Sequence, residues 1–333
     1  MRAWCTGIWH VRGMSFSLPI RTRVFGFALA KLGKSVDQLD PTEFAAQRTK
    51  RAKLQASRLG RYVFGTADPD CVIEDQLMDL DGVELRVRTY RPSHAADTIL
   101  PVVVLFHGGG WVQGSPEQND WMASRVALRV NAAVVSVAYR LAPEHPFPAA
   151  VDDCWNALRS VHDNAAALGV DAERLAVMGD SAGGNLAAVV AMRARDAGGP
   201  RLRLQVLIYP GTEMIDKYDS EIRNAEAPVL TSRTMRTFSA IYLAGADGTL
   251  PEAAPIRAES HEDLAPALIQ TAGHDPLLDN GRLYAEKLLE SGVKVTYTCY
   301  EDAVHGYISL PGIVPTAEQA LEQIVRCLRK ALD

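Results

Sequence analysis

The hydrophobic pattern changes character about a fifth of the way along the chain. Residues 14–65 read as helical and amphipathic, with apolar positions at Val24, Phe25, Phe27, Leu29 and Leu32, then a polar stretch rich in Arg, Lys and Gln. Beyond it, short runs of Val, Leu and Ile alternate with longer helical segments, as parallel strands linked by crossovers do. Strands are expected at 83–90, 102–106, 133–138, 175–178, 205–209, 267–271 and 293–300. Helical patterns lie between them near 119–130, 149–168, 182–197, 281–289 and 317–332. The run from Pro101 to Phe106 is apolar at every position, which fits a strand buried on both faces. The βαβα order predicts an α/β fold with a mostly parallel central sheet flanked by helices and right-handed crossovers.

One stretch breaks that rhythm. Residues 211–266 hold no strand-like run, only polar and helical sequence with prolines at Pro228, Pro251, Pro255 and Pro266. That is far longer than a simple connection. It reads as an inserted helical lid that packs with the N-terminal helices over the carboxyl edge of the sheet. The expected organisation is an N-terminal helical cap segment, 1–65, and a catalytic domain, 66–333, carrying a cap insertion at about 211–266.

Composition narrows the class. The 333 residues are 47% hydrophobic and 23% charged, with a net charge of -5, the balance of a soluble globular protein and not of a nucleic-acid binder. The five cysteines are odd in number and show no Cys-x-x-Cys spacing, so reduced thiols in a cytoplasmic protein are expected. No apolar run reaches the roughly 18 residues of a membrane-spanning helix. The first 32 residues lack both a continuous apolar region and a small-residue cleavage site, and Met14 stands as a second candidate start. There is no His-x-x-x-His or His-Glu-x-x-His, and no metal is expected.

The chemistry begins where the strand at 175–178 runs into Gly179-Asp180-Ser181-Ala182-Gly183-Gly184 and a helix of small residues. Gly-x-Ser-x-Gly between strand and helix is the setting of a nucleophilic serine on a strained turn. A given serine acquires such flanks by chance about once in 200. There is no Gly-x-x-x-x-Gly-Lys or Gly-x-Gly-x-x-Gly at a strand–helix junction to favour a phosphate loop.

A second motif, His107-Gly108-Gly109-Gly110-Trp111, follows the apolar strand at 102–106. Glycine lets backbone N–H groups approach a reacting carbonyl oxygen, and with the amide of Ala182 they would form an oxyanion hole. His107 is expected to prop this loop, because the base should lie downstream of the serine. The acid and base should follow in that order. Asp275 comes after the strand at 267–271, in Gly273-His274-Asp275-Pro276-Leu277-Leu278-Asp279, and His305 after the strand at 293–300, in Asp302-Ala303-Val304-His305-Gly306. Asp279 competes for the acid but sits where capping the next helix is commoner. His274 and His145 read as structural, and His10, His94, His162 and His261 as surface residues.

Together these motifs, with Tyr139-Arg-Leu-Ala-Pro-Glu-His-Pro-Phe-Pro148, resemble the hormone-sensitive lipase family of the α/β-hydrolase superfamily, more narrowly its bacterial esterase branch, the family IV carboxylesterases. The resemblance spans roughly residues 70 to 333 and weakens before residue 60. It implies a carboxylesterase acting on short- to medium-chain acyl esters, with a small-molecule ester as partner and no cofactor. It places Ser181, Asp275 and His305 in the triad. The oxyanion hole falls on Gly108, Gly109, Gly110 and Ala182, with the amides of Gly109, Gly110 and Ala182 as donors and Gly108 supporting the bend. Leu278 and Asn280 depart from residues that are often charged in relatives, and Tyr307 stands where many have Phe, a change expected to tune only the pocket. Relatives often pair through the last strand and helix, which points to a homodimer. An amidase or formamidase on the same site, a true lipase, and a non-catalytic small-ligand receptor remain the alternatives.

Overall fold

The computed structural model describes residues 7–11, 18–29, 36–95 and 98–333. Cys5, Met14 and Leu32 lie outside them. The strands are β1 (Gly7–Val11), β2 (Cys71–Leu80), β3 (Val83–Pro92), β4 (Leu100–Phe106), β5 (Ala133–Val137), β6 (Val170–Asp180), β7 (Leu204–Ile208), β8 (Ala267–His274) and β9 (Val295–Val304). The helices are α1 (Ile20–Leu29), α2 (Phe44–Ala56), α3 (Arg58–Phe64), α4 (Asp120–Val130), α5 (Ala149–Asp163), α6 (Ala182–Asp196), α7 (Asp219–Arg223), α8 (Ser232–Leu243), α9 (Leu278–Glu290) and α10 (Thr316–Leu332).

Among the described residues the nine strands form one sheet, ordered β1-β9-β8-β7-β6-β4-β5-β3-β2. β3 pairs antiparallel with both β2 and β5, and the remaining pairs are parallel. The alternation along β4 explains how both faces are covered. Val102, Val104 and Phe106 pack into one core with α5, α6 and α9, while Val103 and Leu105 join the other core with α4 and α10. The outer edge of β9 is occupied by β1 of the same chain, from Gly7 opposite Thr296 to Val11 opposite Tyr300. Pairing of two copies along that edge would require β1 to leave it.

β2 was not legible in the pattern. Its ten residues are mostly exposed, with only Cys71 and Leu80 buried, because it is an edge strand whose single neighbour is β3. β6 starts at Val170, earlier than the apolar run suggests, and β9 continues past residue 300 to Val304. Among the described residues the amphipathic stretch at 14–65 holds three α-helices, α1, α2 and α3. Val24 is 63% exposed, so α1 does not bury every apolar position it carries. Ser57 ends α2 and starts α3 at once, its hydroxyl accepting the Gly60 N–H at 3.0 Å. Between β7 and β8 the described residues contain α7 and α8 and no strand. A Cβ on Gly26 would lie 2.7 Å from Pro228, so α1 packs directly on that segment.

Candidate active site

Four strands deliver the expected groups at their carboxyl ends, where an open parallel sheet builds its site. β4 leads into the glycine loop, β6 into Ser181, β8 into Asp275 and β9 into His305. Ser181 takes φ 55° and ψ -116° between β6 and α6, a conformation held by its N–H on Ile208 O at 2.8 Å and its carbonyl accepting the Asn185 N–H at 3.0 Å. The turn is tight enough that a Cβ on Gly183 would fall 1.9 Å from the carbonyl oxygen of Phe106, so the helix start is pressed against the end of β4.

The three polar side chains meet in a line. His305 Nε2 lies 2.9 Å from Ser181 Oγ, and His305 Nδ1 lies 2.7 Å from Asp275 Oδ2. The carboxylate can only accept, so Nδ1 carries the proton and Nε2 is left to take one from the serine hydroxyl. Asp275 is fully buried, and its other oxygen accepts the Leu277 N–H at 2.8 Å. Asn224 braces the same turn by donating to the carbonyl oxygen of Asp275 at 3.0 Å. His305 is 7% exposed and packs against the ring of Tyr209, 4.7 Å between centroids.

The glycine loop divides its amides. The Gly108 N–H donates to Asp180 Oδ1 at 2.9 Å, so Gly108 is not available as an oxyanion donor and serves only the bend. The amides of Gly109, Gly110 and Ala182 have no acceptor among the described residues. Gly109, at φ 129°, places its would-be Cβ 1.9 Å from Gln113 O, a turn only glycine can make. His107 props the loop. Its Nδ1–H donates to Gly108 O at 2.9 Å, its ring stacks on Tyr139 at 4.2 Å, and Tyr139 donates its hydroxyl to His107 O at 2.6 Å. Burial lowers its pKa to about 4, so the ring stays neutral.

Asp180 and Asn119 have roles that sequence reasoning did not assign. Asp180 Oδ1 also accepts from Asn119 Nδ2 at 2.9 Å, and burial raises the pKa of this carboxyl. The pair ties the elbow to the glycine loop.

Several other expectations need correction. Asp279 does not cap α9; its oxygens accept from Ser220 N at 2.8 Å and Arg282 Nε at 3.0 Å, which docks α7 onto α9. His261 is not a surface residue: it is 3% exposed, bonds Pro255 O at 2.9 Å and packs edge-on to Tyr284. Tyr307 does not line the cavity. It is fully buried behind Tyr209, with its hydroxyl donating to Gln270 at 3.2 Å. Asn280 holds the chain after β7 through Thr212 N and Glu213 N, at 2.9 and 2.8 Å. His145 and His94 are exposed, and the half-buried His274 ring has no hydrogen-bond partner among the described residues.

A cavity of about 160 Å³ opens over Ser181 and His305. Its walls are mainly apolar, with Trp111, Met214, Leu230, Phe238 and Leu277 prominent. Phe238 comes from α8, and Arg51 and Gln55 from α2. Among the described residues no group of three or more His, Cys, Asp or Glu could hold a metal ion, and no helix is long and apolar enough to cross a membrane.

Residues 103–309 match the family described as alpha/beta hydrolase fold. The chain belongs to that family. Its branch is the hormone-sensitive lipase type, the family IV carboxylesterases. Over 269 residues, 79% of this chain and 84% of the relative, it is 45% identical to carboxylesterase NlhH of Mycobacterium tuberculosis. It is 34% identical over 310 residues, 91% of this chain and 96% of the relative, to ethyl acetate hydrolase of Pseudomonas putida. Among solved structures, a thermostable esterase from Pseudomonas putida superimposes on this α/β-hydrolase with a TM-score of 0.87 at 33% identity, covering 96% and 99% of the two chains.

Proposed function

We propose that this α/β-hydrolase is a carboxylesterase that hydrolyses short- to medium-chain acyl esters through an acyl-enzyme on Ser181. The observation that carries the reading is the continuous line from Asp275 through His305 to Ser181, 2.7 and 2.9 Å, lying beside three unspent amides. Ser181 Oγ bonds to the ester carbonyl carbon while His305 Nε2 takes its proton. The carbonyl oxygen becomes an oxyanion against the amides of Gly109, Gly110 and Ala182. Collapse of the intermediate expels the alcohol, which leaves with the proton from His305. A water then gives a proton to His305 and adds to the acyl carbon; the second collapse frees the carboxylic acid and returns the proton to Ser181. Ester and water become acid and alcohol, and no cofactor enters.

The small apolar cavity favours a short acyl group, in keeping with a relative named for ethyl acetate hydrolysis. The walls contributed by α2 and α8 support a cap made of the N-terminal segment, 1–65, and the insertion, 211–266, on a catalytic domain of 66–333. The test is turnover of p-nitrophenyl esters from acetate to palmitate by the wild type and Ser181→Ala. Activity that peaks at short chains and falls by on the order of a million-fold in the variant is expected. A folded wild type inert on every ester, or a Ser181→Ala variant that keeps its activity, would overturn the proposal.

A further inference from the structure

α2 presents one face to the cavity, and the residues on that face meet different fates. Arg48, Arg51 and Gln55 recur at helical spacing. Arg48 is tied to the body of the protein: Nε donates to Val112 O at 2.7 Å, Nη2 to Ala142 O at 2.6 Å, and the guanidinium forks onto Glu144 at 3.0 and 2.8 Å. Gln55 Nε2 donates to Glu117 O at 2.8 Å. The helix is therefore pinned on both sides of Arg51.

Arg51 itself is bound to nothing. It lines the cavity over Ser181 and also the adjoining opening bounded by Gly114, Ser115 and Gln118. Among the described residues its guanidinium makes no hydrogen bond and has no carboxylate within 4.0 Å. The other charged walls are spent. Arg236 is held by Glu221 and by the carbonyl oxygens of Met214, Ile215 and Asp216. Glu213 is held by Arg257 and three backbone N–H groups, and Asp180 by Gly108 and Asn119. Arg51 is exposed to solvent, and the protein packed around it lowers its pKa, with Asp180 opposing that shift. The guanidinium remains charged, with five donors in a fork that matches a carboxylate.

A neutral ester would leave that fork facing water inside a largely apolar cavity. We propose that Arg51 is a specificity residue that binds a carboxylate carried by the substrate, so that the preferred esters bear an anionic group away from the scissile bond. This rests on the esterase reading above. The charge can sit on the acyl side, as in a half-ester of a dicarboxylic acid, or on the alcohol side, and the substrate pairs below separate the two.

The experiment compares kcat/KM for p-nitrophenyl hemiglutarate against p-nitrophenyl pentanoate, and for 4-acetoxyphenylacetate against 4-ethylphenyl acetate, in the wild type, Arg51→Gln and Arg51→Lys. In one pair, the wild type should favour the anionic ester over its neutral partner by about 10- to 100-fold more than Arg51→Gln does, mostly through KM. Arg51→Lys should restore part of that preference, since it keeps the charge and loses the fork. Anionic-to-neutral ratios within twofold of each other in wild type and Arg51→Gln, in both pairs, would overturn the proposal. So would an equal fall on charged and neutral esters, which is what a purely structural role predicts. A wild type inert on all four esters would instead bring down the esterase reading, and the role of Arg51 with it.

Discussion

Replacing Asp275 with Asn changes one atom and sets two demands against each other. In the wild type, Oδ1 accepts the Leu277 N–H at 2.8 Å and Oδ2 accepts His305 Nδ1 at 2.7 Å. An amide has one oxygen to offer. If it faces His305, the Leu277 N–H is buried without an acceptor, at about 1–3 kcal/mol. If it faces Leu277, the amide N–H₂ faces His305 Nδ1, which must then surrender its proton. The imidazole carries that proton on Nε2, aimed at Ser181 Oγ 2.9 Å away, and no base remains. Every hydrogen bond is satisfied in the second arrangement, so the inactive tautomer is favoured by roughly that same 1–3 kcal/mol. The residual active form also loses a charge-assisted bond to the imidazolium, about 1.5–3 kcal/mol more. The two losses sum to a kcat reduced roughly 10²- to 10⁴-fold.

The assay is kcat and KM on p-nitrophenyl acetate, with thermal unfolding as the control for folding. Asp279→Asn is the companion variant, because Asp279 holds Ser220 and Arg282 and does not touch His305. Asp275→Asn should keep its KM and lose its turnover, whereas Asp279→Asn should keep turnover within a few-fold and unfold at a lower temperature. Asp275→Asn retaining more than a tenth of wild-type kcat, or Asp279→Asn losing as much as it does, would refute the assignment of the acid.

Two more predictions concern the support of the site. The pKa of His107 falls from 6.5 to about 4 on folding, so its contribution to stability is complete above about pH 6.5 and is lost as pH falls toward 4. That loss amounts to about 3 kcal/mol, and His107→Asn, which keeps a donor for Gly108 O without titrating, should lack it. Denaturant midpoints at pH 7, 5.5 and 4 report the difference; parallel losses in both proteins would count against it. Gly183→Ala drives a Cβ to 1.9 Å from Phe106 O, where only backbone could move, while Gly184→Ala meets Pro210 at 3.0 Å. Gly183→Ala should abolish soluble expression or cost roughly 5- to 100-fold in turnover, by a steric penalty of about 1–3 kcal/mol at the elbow, and Gly184→Ala should be mild; similar behaviour of the two would contradict the close approach.

What could be read from the sequence depended on how local its cause was. β4 was legible because burial on both faces demands an uninterrupted apolar run, and Ser181, Asp275 and His305 because each follows directly on a strand end. β2 left no such trace: an edge strand with one neighbour needs little apolar surface. His261 carries no motif and is buried only because Tyr284 and Pro255 arrive from elsewhere. Asp180 stands inside the elbow motif, but its partner Asn119 is 61 residues earlier, and no spacing rule connects them. α2 makes the limit clearest. Arg48 and Arg51 are three residues apart on one face of a helix that also carries Lys50 and Lys53, and by pattern all four belong to a solvated surface. Arg48 is an anchor because Glu144, 96 residues away, folds back beneath it. Arg51 has no such counterpart, and its distinction is a partner that does not arrive. Pattern counts charges, while the proposed specificity depends on which of them the fold leaves unspent along the cavity wall.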